Sequence, residues 1–240
     1  MGRAFEVRKA SMAKTSAAKA KVYSRYGKEI YIAAKAGVPD PEMNVGLKRM
    51  IEKAKANQVP ADVIKRAIDK AKGGTGENYE ESRYEGFGPG ESTIIVDCLT
   101  DNVNRTVSEV RNCFTKTKSK MGVSGSVNHA YDNVGLLSFV YENEEEMLDA
   151  LIMANCDVSE LEVEEGIMSI YVNPTDLYKA KEAVEALLGE VNFDVLEITM
   201  LPQEYIQLEG EDLQQFQRLL DMLDAVDDVQ QVYHNVQLEI

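Results

Sequence analysis

VGLLSFVYENEEEMLDALIMANCDVSELEVEEGIMSIYVNPTDLYKAKEAVEALLGEVNFDVLEITML, residues 134–201, is the stretch on which the fold turns. Its apolar spacing switches between strand and helix periods. It reads as strand Val134–Tyr141, helix Glu144–Asn155, strand Val158–Glu164, strand Ile167–Val172, helix Thr175–Leu188 and strand Asp194–Leu201. That order, β-α-β-β-α-β, is the ferredoxin-like pattern.

Each flank of this unit carries half of a second one. On the C-terminal side, beyond Pro202, come a short strand near Glu204–Leu208, a helix Glu211–Ala225 with Leu213, Phe216, Leu220 and Leu223, and a strand Val229–His234. On the N-terminal side, Ser92–Leu99 reads as a strand and Asn102 to about Lys118 as a helix striped by Val103, Val107, Val110 and Phe114, with a further strand at Val127–Tyr131. A lone half-sheet leaves apolar faces uncovered, so the two halves are expected to meet around the inserted unit. The expected domains are therefore 77–132 joined with 203–240, and 133–202 inserted between them.

Before residue 77 the period is helical throughout. Val22, Tyr26, Ile30 and Ala33 share one side of a helix that Gly37 and Pro39-Asp40-Pro41 stop; Leu47, Met50, Ile51 and Ala54 stripe a second, Asn44–Gln58. Pro60 suits the first turn of a third helix, with Val63, Ile64, Ala67, Ile68 and Ala71 inward. Gly73-Gly74-Thr75-Gly76 ends it as a flexible connection. Residues 1 to about 20 are poor in large apolar groups and read as a flexible basic arm, which makes 1–76 a helical domain with an arm.

Charge separates this domain from the rest. Met1–Lys72 holds 17 Lys and Arg against 7 Asp and Glu, whereas Gly73–Ile240 holds 9 against 34. A formal net charge of −15 thus conceals a basic module on an acidic body. Nucleic-acid affinity rests on neutralised phosphates and released counterions, so a polyanion is expected at the basic end. The acidic body suits a basic protein partner.

Other classes find little support. The chain is 44% hydrophobic, yet no run reaches the roughly 20 apolar residues that span a bilayer, and the opening residues lack the apolar core of a secretory signal. A cytoplasmic address is expected. Cys98, Cys113 and Cys156 form no CxxC pair and only His129 and His234 accompany them, so neither a zinc site nor a disulfide framework is expected and the thiols read as small core residues. The acid clusters Glu144–Glu146, Glu160–Glu165 and Asp221–Asp228 lack the ordered spacing of a calcium loop. No constellation for nucleophilic catalysis is evident, so no catalytic residue, metal or cofactor is expected.

Two polar motifs stand out. Tyr84-Glu85-Gly86-Phe87-Gly88-Pro89-Gly90 lacks the order of a dinucleotide fingerprint and reads as a tight strand-to-strand connection. In Leu99-Thr100-Asp101-Asn102-Val103-Asn104-Arg105-Thr106, any of Asp101, Asn102 or Asn104 could cap the following helix. Capping leaves Arg105 unexplained, because the helix dipole disfavours a cation in the first turn. A contact with an acidic neighbour or a ligand is expected for it. Among the aromatics of the basic segment, Tyr23 and Tyr31 are candidates to stack on bases, while Tyr26 lies on the apolar stripe.

These motifs, with Arg8-Lys9-Ala10, Ala33-Ala34-Lys35-Ala36-Gly37, Gly125-Ser126-Val127 and Asp227-Asp228-Val229-Gln230-Gln231-Val232-Tyr233-His234-Asn235, resemble the YebC/PmpR family nearly end to end. That family also includes the mitochondrial translational activator of cytochrome oxidase. The resemblance implies three domains: an N-terminal helical one and two ferredoxin-like α+β ones, one inserted in the other. It also implies DNA-binding transcriptional regulation or ribosome-linked promotion of translation. Where the family commonly opens Gly-His-Ser-Lys-Trp, this chain has Gly2-Arg3-Ala4-Phe5-Glu6 and looks like the second bacterial subgroup.

The expected function is therefore gene-expression regulation through nucleic-acid binding, on DNA or alternatively on ribosomal RNA. The expected phosphate partners are Lys9, Lys14, Lys21, Arg25, Lys28, Lys48, Arg49, Lys53 and Arg66, with Arg105 as a further contact.

Overall fold

Helix-forming segments come first in the chain, and their ends are set by capping and by proline. The structure, a computed structural model, describes residues 3–5, 7, 19–73, 76 and 78–238. Helix α1 is Lys19–Lys35, α2 is Val45–Ala56 and α3 is Ala61–Lys72. Asn44 caps α2 by accepting from the Leu47 N–H at 3.0 Å, and Pro60 precedes α3. Ile30, Ala34, Leu47, Ile51, Ala54, Ile64 and Ala67 make the buried centre of this bundle.

Strands β1 (Glu80–Phe87) and β2 (Thr93–Thr100) follow, then α4 (Val103–Lys116) and β3 (Lys120–Met121). The next stretch contains β4 (Tyr131–Val140), α5 (Glu144–Met153), β5 (Val158–Glu164), β6 (Ile167–Val172), α6 (Leu177–Leu188) and β7 (Val195–Pro202). Helix α7 (Gly210–Asp224) and strand β8 (Val229–His234) complete the chain. The sheets have the orders β3-β1-β2-β8 and β5-β6-β4-β7. The second is antiparallel throughout, as a ferredoxin-like unit requires. Leu137, Phe139, Met168 and Ile170 pack under Met147 and Leu151 of α5 and Ala180 and Val184 of α6.

The fold expected from the sequence, a three-helix region followed by two α+β domains, is the one observed. By packing, the chain forms two units: 1–14, 125–209 and 233–240 in one, 15–124 and 210–232 in the other. No helix among the described residues is long and apolar enough to cross a membrane.

Four local expectations need correction. Strand β1, absent from the sequence reading, runs through Tyr84–Phe87 and pairs antiparallel with β2; the connection proper is Gly88–Ser92, where Gly90 has φ 60°. Gly86 is required within β1 itself, because a Cβ there would press on the Phe114 ring and lie 2.8 Å from the Lys120 carbonyl oxygen. Val127–Tyr131 is mostly a single 3₁₀ turn, Asn128–Ala130, from which β4 starts. Glu204–Leu208 is reduced to one parallel bridge, Ile206 to Val236. Finally, the start of the expected arm is ordered: residues 3–5 and 7 are helical, and Ala4 is fully buried.

Candidate nucleic-acid interface

On α1, Lys21, Arg25 and Lys28 recur at helical spacing and form a stripe. That stripe faces carboxylates. Arg25 donates from Nη2 to Asp224 at 2.8 Å and from Nε to the Val229 carbonyl at 3.1 Å, and Lys21 Nζ lies 3.1 Å from the same Asp224. Asp224 is the last residue of α7, where the helix dipole disfavours a negative charge; two cations beside it offset that cost. The Lys21 ammonium is pushed below its ordinary pKa by burial, against the pull of Asp224.

Asp228 is the centre of the second cluster. Its side chain is 4% exposed. Lys28 Nζ donates to Oδ1 at 3.0 Å, while Oδ2 accepts from Arg105 Nη2 at 2.6 Å and from the Thr100 hydroxyl at 3.0 Å, with the Thr106 hydroxyl at 2.8 Å. Burial works against ionisation of this carboxyl, but hydrogen bonds from Arg105, Lys28 and Thr106 outweigh it and hold the pKa down to about 2. Local sequence sets the geometry: Asn102 caps α4 through the Arg105 N–H at 3.1 Å, and this turn aims the Arg105 side chain at Asp101 (2.8 Å) and Asp228. The misplaced first-turn cation is thereby explained by two acidic neighbours.

A cleft of about 700 Å³ opens beside this cluster, with Lys28, Tyr79, Arg105, Glu109, Met222 and Asp227 on its walls. Asp101 and Asp228 line it as well, so its four carboxylates outnumber its two cations. A phosphate gains little there.

The other expected cations lie on α2 and α3. Lys48 and Lys55 are exposed on α2, with Arg49 and Lys53 half-buried; Lys65 and Arg66 are exposed on α3. Arg66 pairs with Asp62 at 2.6 Å, but both side chains are about three-quarters exposed, where such a pair contributes on the order of 0–1 kcal/mol. Lys48, Lys55 and Lys65 pair with no carboxylate among the described residues. Lys9 and Lys14, like Arg8, Gly74 and Thr75, lie outside the described residues.

Base stacking by Tyr31 does not survive. It is 3% exposed, set edge-on to Tyr79 at 5.8 Å, with Lys35 and Lys70 each 5.6 Å from its ring centre. Tyr23 and Tyr26 both pack against the bundle core. The sequence reading did not assign Thr100, Thr106, Asp224 and Asp228 as partners; the Leu99–Thr106 motif, the Asp221–Asp228 acid cluster and the motif from Asp227 to Asn235 were the signals that pointed to that region.

Comparison with known proteins now places this architecture. A family model described as "TACO1/YebC protein N-terminal domain" matches residues 3–74, and one described as "TACO1/YebC second and third domain" matches residues 79–236. The chain belongs to the TACO1/YebC family. A Vibrio vulnificus relative named "probable transcriptional regulatory protein" is 54% identical over 238 residues, covering 99% of this chain and all of the relative. A Vibrio cholerae relative of the same description is 53% identical over the full length of both chains. The crystal structure of a conserved hypothetical protein from Aquifex aeolicus superposes with a TM-score of 0.76 at 37% identity, covering 95% of this chain and 94% of that one. Both TACO1/YebC segments are therefore present here in full order, basic bundle first.

Proposed function

We propose that this TACO1/YebC chain is a cytoplasmic, DNA-binding regulator of transcription that holds backbone phosphates on the outer faces of α2 and α3. It acts by binding rather than by catalysis. The observation that carries this reading is that Lys48, Lys55 and Lys65 are exposed and form no ion pair within 4.0 Å among the described residues, in a chain whose net charge is −15. The full-length relatives named as probable transcriptional regulatory proteins support it. Lys21, Arg25, Lys28 and Arg105 have a different role, because carboxylates already neutralise them.

Phosphate contact through Lys48, Lys55, Lys65 and the exposed Arg66 sets a log–log salt slope of roughly −3 to −4 on duplex DNA. Fluorescence anisotropy with a labelled duplex at several salt concentrations measures it, and Lys48→Glu with Arg49→Glu is expected to weaken binding at least tenfold. Salt-independent binding, or unchanged affinity in that variant, overturns the reading. Co-sedimentation with ribosomal subunits after nuclease treatment would transfer the same surface from DNA to ribosomal RNA.

A further inference from the structure

The ferredoxin-like sheet has two faces, and α5 and α6 cover only one of them. On the other face Leu136 stands opposite Tyr171 and Glu197, Asp132 opposite Leu201, and Tyr171 opposite Glu160. Residues opposite one another in an antiparallel pair share a face, so this surface has an apolar centre with carboxylates around it. Arg3, Ala4 and Val7 are seated there.

The seat recognises specific chemistry. Ala4 is fully buried among Leu136, Tyr171, Val195 and Leu201, and Val7 packs beside it. The Ala4 N–H donates to the Tyr171 hydroxyl at 2.8 Å, and that hydroxyl donates to Glu162 at 2.6 Å. Arg3 Nη2 donates to Asp132 at 2.6 Å, with Glu160 at 4.0 Å, and the Gln203 side-chain amide donates to the other Asp132 oxygen at 3.0 Å. A guanidinium pocket, a socket sized for a methyl group and a hydroxyl reading the backbone N–H lie side by side. Such a set discriminates among peptides: a residue larger than Ala at the second position overfills the socket, and removing the guanidinium takes away the cation beside Asp132 and Glu160.

We propose that this face is a peptide-binding site for a segment of the form Arg-Ala-x-x-Val, filled in cis by Arg3, Ala4 and Val7 and open in trans to the same segment of a second copy. The cis segment competes at an effective concentration on the order of millimolar, so exchange is rare in dilute protein and grows with concentration.

A labelled peptide of residues 1–9, MGRAFEVRK, titrated into the full chain carrying Ala4→Asp tests the site. That variant cannot seat its own segment, and circular dichroism verifies its fold; the full chain carrying Arg3→Glu is a second vacated receptor. Saturable binding is expected, at least tenfold weaker for the Arg3→Glu peptide. Adding Asp132→Arg to the receptor should reverse that preference. No saturable binding to either receptor, or equal binding of both peptides, overturns the site. Mixing the Ala4→Asp chain with a separate Asp132→Arg chain should give a heterodimer in sedimentation velocity at high concentration. Its absence overturns the second copy as occupant.

Discussion

Replacing Asp228 by Asn removes one charge from a side chain that accepts four hydrogen bonds and keeps the shape. The amide has one acceptor oxygen, so either Lys28 or the group around Arg105 and the two threonines must face an N–H donor. The magnitude follows from linkage. Asp228 has a depressed pKa in the folded chain, about 2 against an ordinary 3.8. Its ionised form therefore stabilises the fold fully above the ordinary value and loses that contribution as pH falls through 2. The gap corresponds to about 2.5 kcal/mol at neutral pH. For a chain of this length that is a drop in Tm of about 5–10 °C. Thermal melts of wild type and Asp228→Asn at pH 7 and pH 3 read both signs. The two proteins should differ by about 2–3 kcal/mol at pH 7, and the difference should narrow by about 1 kcal/mol at pH 3. Melts within 1 °C of each other at pH 7, or a gap that stays constant on acidification, would refute the reasoning.

Arg25→Ala should cost about 1–2 kcal/mol of stability, since Arg25 is 20% exposed and bonded to Asp224 and the Val229 carbonyl, while leaving the DNA salt slope unchanged; urea melts and anisotropy separate the two effects. Burial depresses the His234 pKa to about 4, so below an ordinary 6.5 the unfolded chain takes up the proton first and stability falls by about 3 kcal/mol between pH 6.5 and 4. His234→Gln should flatten that part of the stability curve in chemical denaturation. Gly86→Ala should destabilise by about 2 kcal/mol or more, because the added methyl meets the Phe114 ring and the Lys120 carbonyl, and calorimetry would show it as a lowered Tm.

Much of this fold is legible in the sequence wherever apolar residues repeat within a few positions. Val158–Glu164, Ile167–Val172 and Val229–His234 are strands at the expected residues. The turn between the first two uses Glu165 and Gly166 at positive φ, which isolates each run. Strand β1 shows the opposite case. EESRYEGF has no apolar run, and its eight-residue pairing with β2 forms it through backbone hydrogen bonds that leave no local pattern. The site was legible only in part for a related reason. Arg105 stands out as a cation at a helix start, but its partner Asp228 lies 123 positions away, and nothing near either residue names the other.

Counting charge along a chain also weighs every cation alike, whereas the fold does not. Lys21, Arg25, Lys28 and Arg105 belong to the basic signal in sequence, yet Asp224 and Asp228 neutralise them within the same unit. What remains for an outside polyanion is the surface of α2 and α3, where Lys48, Lys55 and Lys65 stand in solvent. The two groups differ in what their removal does. Deleting a cation held by the buried Asp228 leaves an uncompensated charge behind, and deleting one held by the more exposed Asp224 removes a smaller packing and charge contact; stability records both losses. A solvated lysine leaves nothing behind, and only affinity and its salt dependence respond. Stability and salt slope, measured on the same set of variants, therefore sort the basic residues of this chain into those that hold the fold and those that meet the phosphate backbone.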